Sequence, residues 1–187
     1  MKILGISGSL KQASLNTRLL ENAAQMLPDG TTLAIQRLDD IVFYNEDLDL
    51  PEKPETVRRL IQNIEEADAL LFASPEYNHS IPGVLKNAID WASRPAFASP
   101  LKNKPCGILT ASTSPVGGAR AQADLKNVLS STLSPVYPAI EYLLPMATDK
   151  FDDPGVLIDE TARRRLQRYL NGFIQWASQL DQASFSA

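Results

Sequence analysis

The sequence predicts an α/β fold in which a parallel β-sheet is covered by helices on both faces. Short apolar runs alternate with amphipathic helical segments along the chain, and right-handed crossovers then place the helices over the sheet. The run 69–73 is continuously apolar, which is typical of a strand buried on both faces. Polar, glycine-containing segments follow three of the predicted strands, where open α/β sheets bind their ligands.

The first half of the chain shows this alternation clearly. The predicted elements are strand 2–6, helix 16–26, strand 32–38, helix 56–67 and strand 69–73. Both helices repeat apolar residues along one face, as Val57, Leu60 and Ile64 do in the second. The acidic segment 39–54 has no clear period and contains two prolines, so we expect a surface loop there.

The second half continues the pattern without a linker or an internal repeat. The predicted elements are a turn at 74–83, helix 84–93, strand 106–111, helix 119–133, strand 139–144 and helix 161–180. With 187 residues, one domain over 1–180 is expected, followed by a flexible polar tail at 181–187.

Three separate loops are predicted to form one site. In a five-stranded sheet of order 2-1-3-4-5, the first, third and fourth strands are neighbours. The segments that follow them, 7–16, 74–83 and 112–118, would then line one crevice.

Composition excludes several classes of function. A net charge of −4 argues against a general nucleic-acid surface or an anionic-membrane surface. The single cysteine, Cys106, and the single histidine, His79, exclude a disulfide framework and a site with several thiolate or imidazole metal ligands, so no metal is expected. The opening MKILGISGS is too brief for a signal peptide or a membrane helix, and a cytoplasmic location is expected.

The first loop, GISGSLKQASLN, favours an anion. It leads into a helix whose first amides and dipole would attract a phosphate, and Lys11 adds a positive charge near its rim. Ordinary helix capping by Ser14, with no ligand, explains the same residues. The chain lacks the GxxxxGK[ST] and GxGxxG patterns, so neither a P-loop NTPase nor a Rossmann dehydrogenase is favoured.

The second loop, within SPEYNHSIPGVLKNAIDW, could border a flat heteroaromatic ring. It combines an aromatic residue, amide groups and two prolines that stiffen the backbone. A proline-rich connection that only turns the chain fits the same residues.

Together these stretches resemble the NAD(P)H-dependent FMN reductases of flavodoxin-like fold, which include quinone and chromate reductases. GISGSLKQASLN is similar to the phosphate loop of that family, PEYNHSIPGVLKNAIDW to its flavin-ring signature, and TASTSPVGGARAQADL to its third loop. The resemblance covers about residues 1 to 145 and implies a flavodoxin-like three-layer sandwich. Lys11 stands where the family usually has Arg, and Ser114 where glycine is frequent.

The resemblance also implies the cofactor contacts. The residues expected to bind FMN are Ser9, Lys11, Ser14, Leu15 and Asn16 around the phosphate, Pro75, Glu76, Tyr77 and Asn78 along the isoalloxazine, and Ser112, Ser114, Gly117 and Gly118 at its other edge. No catalytic side chain is implied, since flavin N5 takes a hydride from NADPH or NADH and later returns electrons to an acceptor.

The implied function is therefore a ping-pong NAD(P)H-dependent oxidoreductase that reduces a small molecule such as a quinone, free flavin or chromate. The family also implies a homodimer or homotetramer. The alternative is a non-enzymatic, flavodoxin-like electron carrier or flavin-binding module. His79 is expected to be a turn residue, Cys106 a core residue, and residues 163–165 a solvated basic face paired with acidic neighbours.

Overall fold

The computed structural model describes residues 1–182 of the chain and contains five strands and five α-helices there. The strands are β1 (Lys2–Ser7), β2 (Thr32–Gln36), β3 (Ala69–Ser74), β4 (Cys106–Ala111) and β5 (Tyr142–Leu144). The helices are α1 (Leu15–Ala24), α2 (Glu55–Glu66), α3 (Gly83–Ala92), α4 (Ala119–Ser131) and α5 (Glu160–Gln182). Of the expected tail at 181–187, the first two residues belong to α5, and the others lie outside the described residues.

All strand pairs are parallel, and the order β2-β1-β3-β4-β5 confirms the predicted topology. Ser7 pairs with Ala73, and Ser74 pairs with Thr110 in the next strand. The carboxyl ends of β1, β3 and β4 are therefore level, and the loops that leave them begin at one edge of the sheet.

The core has one cluster of apolar side chains on each face of the sheet. Leu71 of β3 packs with residues of α1 and α5 on one face. Its neighbour Phe72 packs with residues of α2, α3 and α4 on the other. All six residues of β3 are buried, as expected for a central strand covered on both faces.

Segment 39–54 is more ordered than the surface loop predicted from its composition. It contains a short 3-10 helix, Glu46–Leu48, and it is held against α3 by side chains. Asn87 and Trp91 both donate hydrogen bonds to the carbonyl oxygen of Val42, at 2.9 and 2.8 Å. The sequence does not reveal this attachment, because the partners lie 45 and 49 residues apart in the chain.

Candidate functional site

Three loops meet at the carboxyl edge of the sheet. We call residues 8–14 the first loop, 75–82 the second loop and 112–118 the third loop. The amide of Gly8 donates a 2.8 Å hydrogen bond to the carbonyl of Ala73, just before the second loop. A Cβ at Gly8 would lie 3.1 Å from Leu85 and 3.2 Å from Ser74, so the first loop packs closely against α3 and the end of β3 because this residue has no side chain.

The first loop leads into α1 with ordinary capping but leaves amides available. The hydroxyl of Ser14 accepts a 3.2 Å hydrogen bond from the amide of Thr17. The next amides, of Leu15 and Asn16, have no hydrogen-bond acceptor within residues 1–182. Both groups belong to the positive end of the helix dipole, so this part of the predicted phosphate site can bind an anion.

Asn16 has a structural task that the sequence did not indicate. Its side-chain amide donates to the carbonyl of Ala111 at 3.0 Å, and its oxygen accepts from the amide of Ala111 at 2.9 Å. The side chain is buried, and these two bonds tie the start of α1 to the end of β4. The group of Asn16 best placed for an anion is therefore its backbone amide.

Ser9 and Lys11 occupy different environments in the first loop. Ser9 is buried, and its hydroxyl accepts a 3.4 Å hydrogen bond from the amide of Lys11. The Lys11 side chain is exposed, and no carboxylate of residues 1–180, the part of the chain whose side chains are described, pairs with it. Its positive charge is available to an incoming anion.

The second loop contains a tight turn that presents an aromatic ring. The amide of Tyr77 donates to the carbonyl of Ser80 at 2.9 Å, and the amide of Ser80 returns a 3.0 Å bond. The two residues between them, Asn78 and His79, both have positive φ, as a type I′ turn requires. Tyr77 is 54% exposed beside this turn, and His79 is exposed, as expected for a turn residue.

Glu76 points its carboxylate at α4. One oxygen accepts from the backbone amides of Arg120 and Ala121 at 3.0 and 3.3 Å, and the other pairs with the Arg120 guanidinium at 3.0 Å. Burial acts to raise the pKa of Glu76, but the bonds from Arg120 and Ala121 outweigh it and lower the pKa below its ordinary value. Glu76 is therefore an ionised link between the second loop and α4.

The third loop requires its two glycines. Gly117 and Gly118 have φ of 68° and 87°, and a Cβ at Gly118 would lie 2.8 Å from the Cβ of Thr110. The Thr110 hydroxyl donates a 2.7 Å hydrogen bond to the carbonyl of Gly117, which fixes the turn on β4. The Ser114 hydroxyl accepts a 3.1 Å hydrogen bond from the hydroxyl of Ser112, so the serine that replaces a frequent glycine helps to shape this loop.

A fourth segment, 145–147, belongs to the same edge and was missed from the sequence. The amide of Met146 donates to the carbonyl of Ser114, and the amide of Ala147 donates to that of Ser112. Met146 has φ 47° and is 54% exposed. No glycine marks this left-handed turn, so the sequence carried no signal for it.

Exposed apolar side chains occur in the loops that follow all five strands. They are Leu10, Val42, Phe43, Tyr77, Val116 and Met146. Together with the free amides at the start of α1 and the exposed Lys11 in the first loop, they give this edge both anion-binding groups and apolar surface. That combination suits a flat, phosphate-bearing molecule.

Comparison with known proteins agrees with this geometry. Residues 1–149 match the sequence profile described as NADPH-dependent FMN reductase. The chain belongs to this family. An NAD(P)H-dependent FMN reductase of Pseudomonas aeruginosa is 42% identical over 182 residues, which cover 96% of this chain and 97% of that protein. A quinone reductase of Pseudomonas putida is 36% identical over 91% of each chain.

The fold of the family is also found in solved structures. The flavoenzyme NAD(P)H:(acceptor) oxidoreductase FerB of Paracoccus denitrificans superposes with a TM-score of 0.88 at 33% identity, covering 95% of this chain and 97% of FerB. Within residues 1–182 of our chain, no helix has the length and apolar character needed to cross a membrane.

The remaining residues of interest have structural surroundings. Cys106 is fully buried, as predicted for a core residue, and burial raises the pKa of its thiol to about 12. In the basic cluster, Arg164 lies 3.7 Å from Glu160, whereas Arg165 stacks 5.6 Å from the ring of Tyr142 and Arg163 donates to a backbone carbonyl. In the described part of the chain, no group of three or more His, Cys, Asp or Glu residues could hold a metal ion.

Proposed function

We propose that this chain is an NAD(P)H-dependent FMN oxidoreductase that passes electrons to a small-molecule acceptor such as a quinone. The observation that carries the proposal is the pair of unpartnered amides at Leu15 and Asn16, on the same sheet edge as the aromatic second loop and the glycine turn of the third loop. Family membership and the quinone reductase relatives support it.

The residues of this edge fit FMN in chemical type. We propose that the phosphate contacts the amides of Leu15 and Asn16 together with Ser9, Lys11 and Ser14. The chain from Pro75 to Asn78, and the third loop from Ser112 to Gly118, would border the ring. FMN supplies the group that accepts a hydride from NADPH or NADH and delivers electrons to the second substrate.

The protein's own contribution is positioning. The two glycines of the third loop let backbone approach the ring, and the type I′ turn fixes Tyr77 at the rim. The side chains of the site require no dedicated acid or base for this reaction, so we assign no catalytic residue. The ping-pong order follows if the nicotinamide and the acceptor use the same apolar surface in turn.

Anaerobic spectroscopy of purified protein tests the function. FMN titrated into flavin-free protein is expected to bind. NADPH or NADH mixed with this complex in a stopped-flow instrument is then expected to bleach the flavin absorbance rapidly. Adding a benzoquinone should restore the absorbance. Protein that binds no FMN would refute the proposal, and flavin that binds but is not reduced would indicate an electron carrier instead.

Three further proposals accompany this function. We propose that residues 1–180 act as one domain, since one sheet carries all the site loops. We propose a cytoplasmic location, which suits a protein with one buried free thiol. We also propose a homodimer or homotetramer, supported by the large exposed fractions of Phe43 and Phe97, 82% and 76%. Light scattering on a size-exclusion column measures the last of these directly.

A further inference from the structure

Glu76 lies in the segment expected along the flavin ring, yet its carboxylate makes three hydrogen bonds to α4. Its side chain is only 12% exposed, whereas that of Arg120 is 49% exposed. Arg120 comes two residues after Gly118, so the pair spans from the second loop to the end of the third. Among the described side chains of residues 1–180, no other ion pair joins these two loops or their helices.

The carboxylate also fills the amino terminus of α4. The residue before this helix is Gly118, which has no side chain to cap it. Glu76 accepts from two of the free amides and so acts as the missing cap from a distant part of the chain. As a result, the start of α4 is not available to an anion, whereas the start of α1 has two free amides that can bind one.

We propose that Glu76 and Arg120 are a positioning pair that fixes the spacing of the second and third loops and balances charge beside the flavin, thereby setting both FMN affinity and flavin reduction potential. This inference rests on the proposed function. It goes beyond it by assigning roles to a carboxylate and a guanidinium that do not themselves react.

The charge balance distinguishes this role from simple bracing. Reduced flavin carries more negative charge than oxidised flavin, so a nearby positive charge favours reduction and a nearby negative charge opposes it. Glu76→Gln leaves Arg120 without a counter-charge, and the midpoint potential should rise. Arg120→Gln leaves the carboxylate without its counter-charge, and the potential should fall.

The experiment measures FMN dissociation constants, midpoint potentials and unfolding of the flavin-free protein for E76Q, R120Q and the double variant. Both single variants should weaken FMN binding by about tenfold, since each loses a charge-assisted contact between the loops. Their potentials should move in opposite directions, and the double variant should return close to the wild-type potential. Potentials that do not move, or that move the same way, would overturn the proposal.

Conservative and distant variants complete the design. E76D and R120K keep the charges but change the lengths of the side chains that set the loop spacing. They should therefore weaken FMN binding while leaving the potential near that of wild type. If E76Q does not fold, R120Q and R120K alone decide, because only R120Q is expected to lower the potential. The matched controls are K126Q and E141Q, which break an exposed ion pair between α4 and the residue before β5 and should change neither quantity.

Measurements on the wild-type protein distinguish a failure of the proposed function from a failure of the positioning role. Wild type that binds no FMN would refute the proposed function and this inference together. Wild type that binds and reduces FMN, with both single variants unchanged in potential, would refute the inference alone.

Discussion

Asn16 joins two elements through a single side chain. Replacing it with alanine leaves the buried amide and carbonyl of Ala111 without their partners. We expect Asn16→Ala to lower the free energy of unfolding by about 2–6 kcal/mol, because each of the two unsatisfied buried groups costs about 1–3 kcal/mol. Urea denaturation of the flavin-free protein measures this loss.

Ser14 provides the matched control for Asn16, since it lies two residues away and caps the same helix. Ser14→Ala removes one cap bond and should cost about 1 kcal/mol. Equal losses for the two variants would show that the bonds to Ala111 contribute little, contrary to their burial.

Gly118 is the residue of the third loop that tolerates a side chain least. Gly118→Ala combines a left-handed backbone with a Cβ placed 2.8 Å from Thr110. The same substitution at Gly30, where φ is 79° and nothing lies within 4 Å, isolates the backbone effect of about 1–2 kcal/mol. The variant at Gly118 should lose about 1–3 kcal/mol more than the one at Gly30, because Thr110 has to move.

Calorimetric or urea unfolding of both glycine variants provides the comparison, and FMN titration provides a second readout. Gly118→Ala should also weaken FMN binding, whereas Gly30→Ala should not. Indistinguishable unfolding energies would mean that the chain around Thr110 relaxes without cost.

The ionisation of Glu76 makes part of the stability depend on pH. Its folded pKa is lowered below the ordinary value of 4.5, so its contribution is complete above that value and is lost as pH falls through the folded pKa. The unfolding energies of flavin-free wild type and E76Q should therefore differ most near neutral pH, and the difference should shrink as the pH is lowered from neutral to below 4.5. A difference that stays constant over this range would contradict an ionised link.

At the level of single residues, the sequence predicted that the loops begin at one edge of the sheet, but it did not predict the hydrogen-bond partners of their side chains. The loop containing Asn16 and the loop containing Glu76 were both identified from local chemistry. Their actual partners lie 95 and 44 residues away in the chain, and nothing in a local pattern encodes such distances.

At the level of elements, β4 has a gap in its pairing that α5 fills. Cys106 is bridged by Val136, and β5 pairs with β4 only from Leu109 onward. The amide of Ile108 lies between these points and donates instead to the Tyr169 hydroxyl at 2.7 Å. The final helix, α5, thus completes the hydrogen bonding of β4, which lies inside the sheet between β3 and β5.

Tyr169→Phe should consequently destabilise the protein more than the loss of a tyrosine hydroxyl that forms no hydrogen bond. It leaves the buried amide of Ile108 unsatisfied, for which about 1–3 kcal/mol is expected. Tyr137→Phe is the control, because the hydroxyl of Tyr137 forms no hydrogen bond with the described residues 1–180, and its ring packs in the same aromatic cluster. Thermal unfolding of the two variants should separate them, and hydrogen exchange at Ile108 should rise only in the first.

Element positions were predictable because apolar periodicity reports burial directly. The prediction for β4 matches its observed bounds, and the central strand β3 is one residue longer than predicted. The helix predicted to end at residue 133 ends at Ser131 in α4. Leu133 adopts φ 61°, and its amide donates to the carbonyl of Ser130. The amide of Ser134 donates to the carbonyl of Leu129, which closes the end of the helix. Glycine usually occupies the left-handed position at the end of a helix, so the leucine at this position did not predict the ending.

At the level of the whole molecule, the parallel order 2-1-3-4-5 brings residues from three distant βα units to one edge. The alternation of elements restricts the chain to few topologies, and the resemblance to proteins of flavodoxin-like fold selected this order among them. The number of subunits could not be predicted in the same way. Exposed apolar residues such as Phe43 and Phe97 indicate a contact surface, but they do not determine how many subunits meet there.

A ligand that bridges all three loops should stabilise the whole fold and not one unit alone. At free FMN about 100 times its dissociation constant, the free energy of unfolding should rise by about 2.7 kcal/mol, with one cooperative transition. Riboflavin has the same ring but no phosphate, so it cannot use the free amides of Leu15 and Asn16. Two charge-assisted bonds of about 1.5 kcal/mol each predict affinity about 100-fold weaker for riboflavin. Urea unfolding at matched concentrations of the two ligands measures the difference, and equal stabilisation would show that the phosphate does not sit at the start of α1.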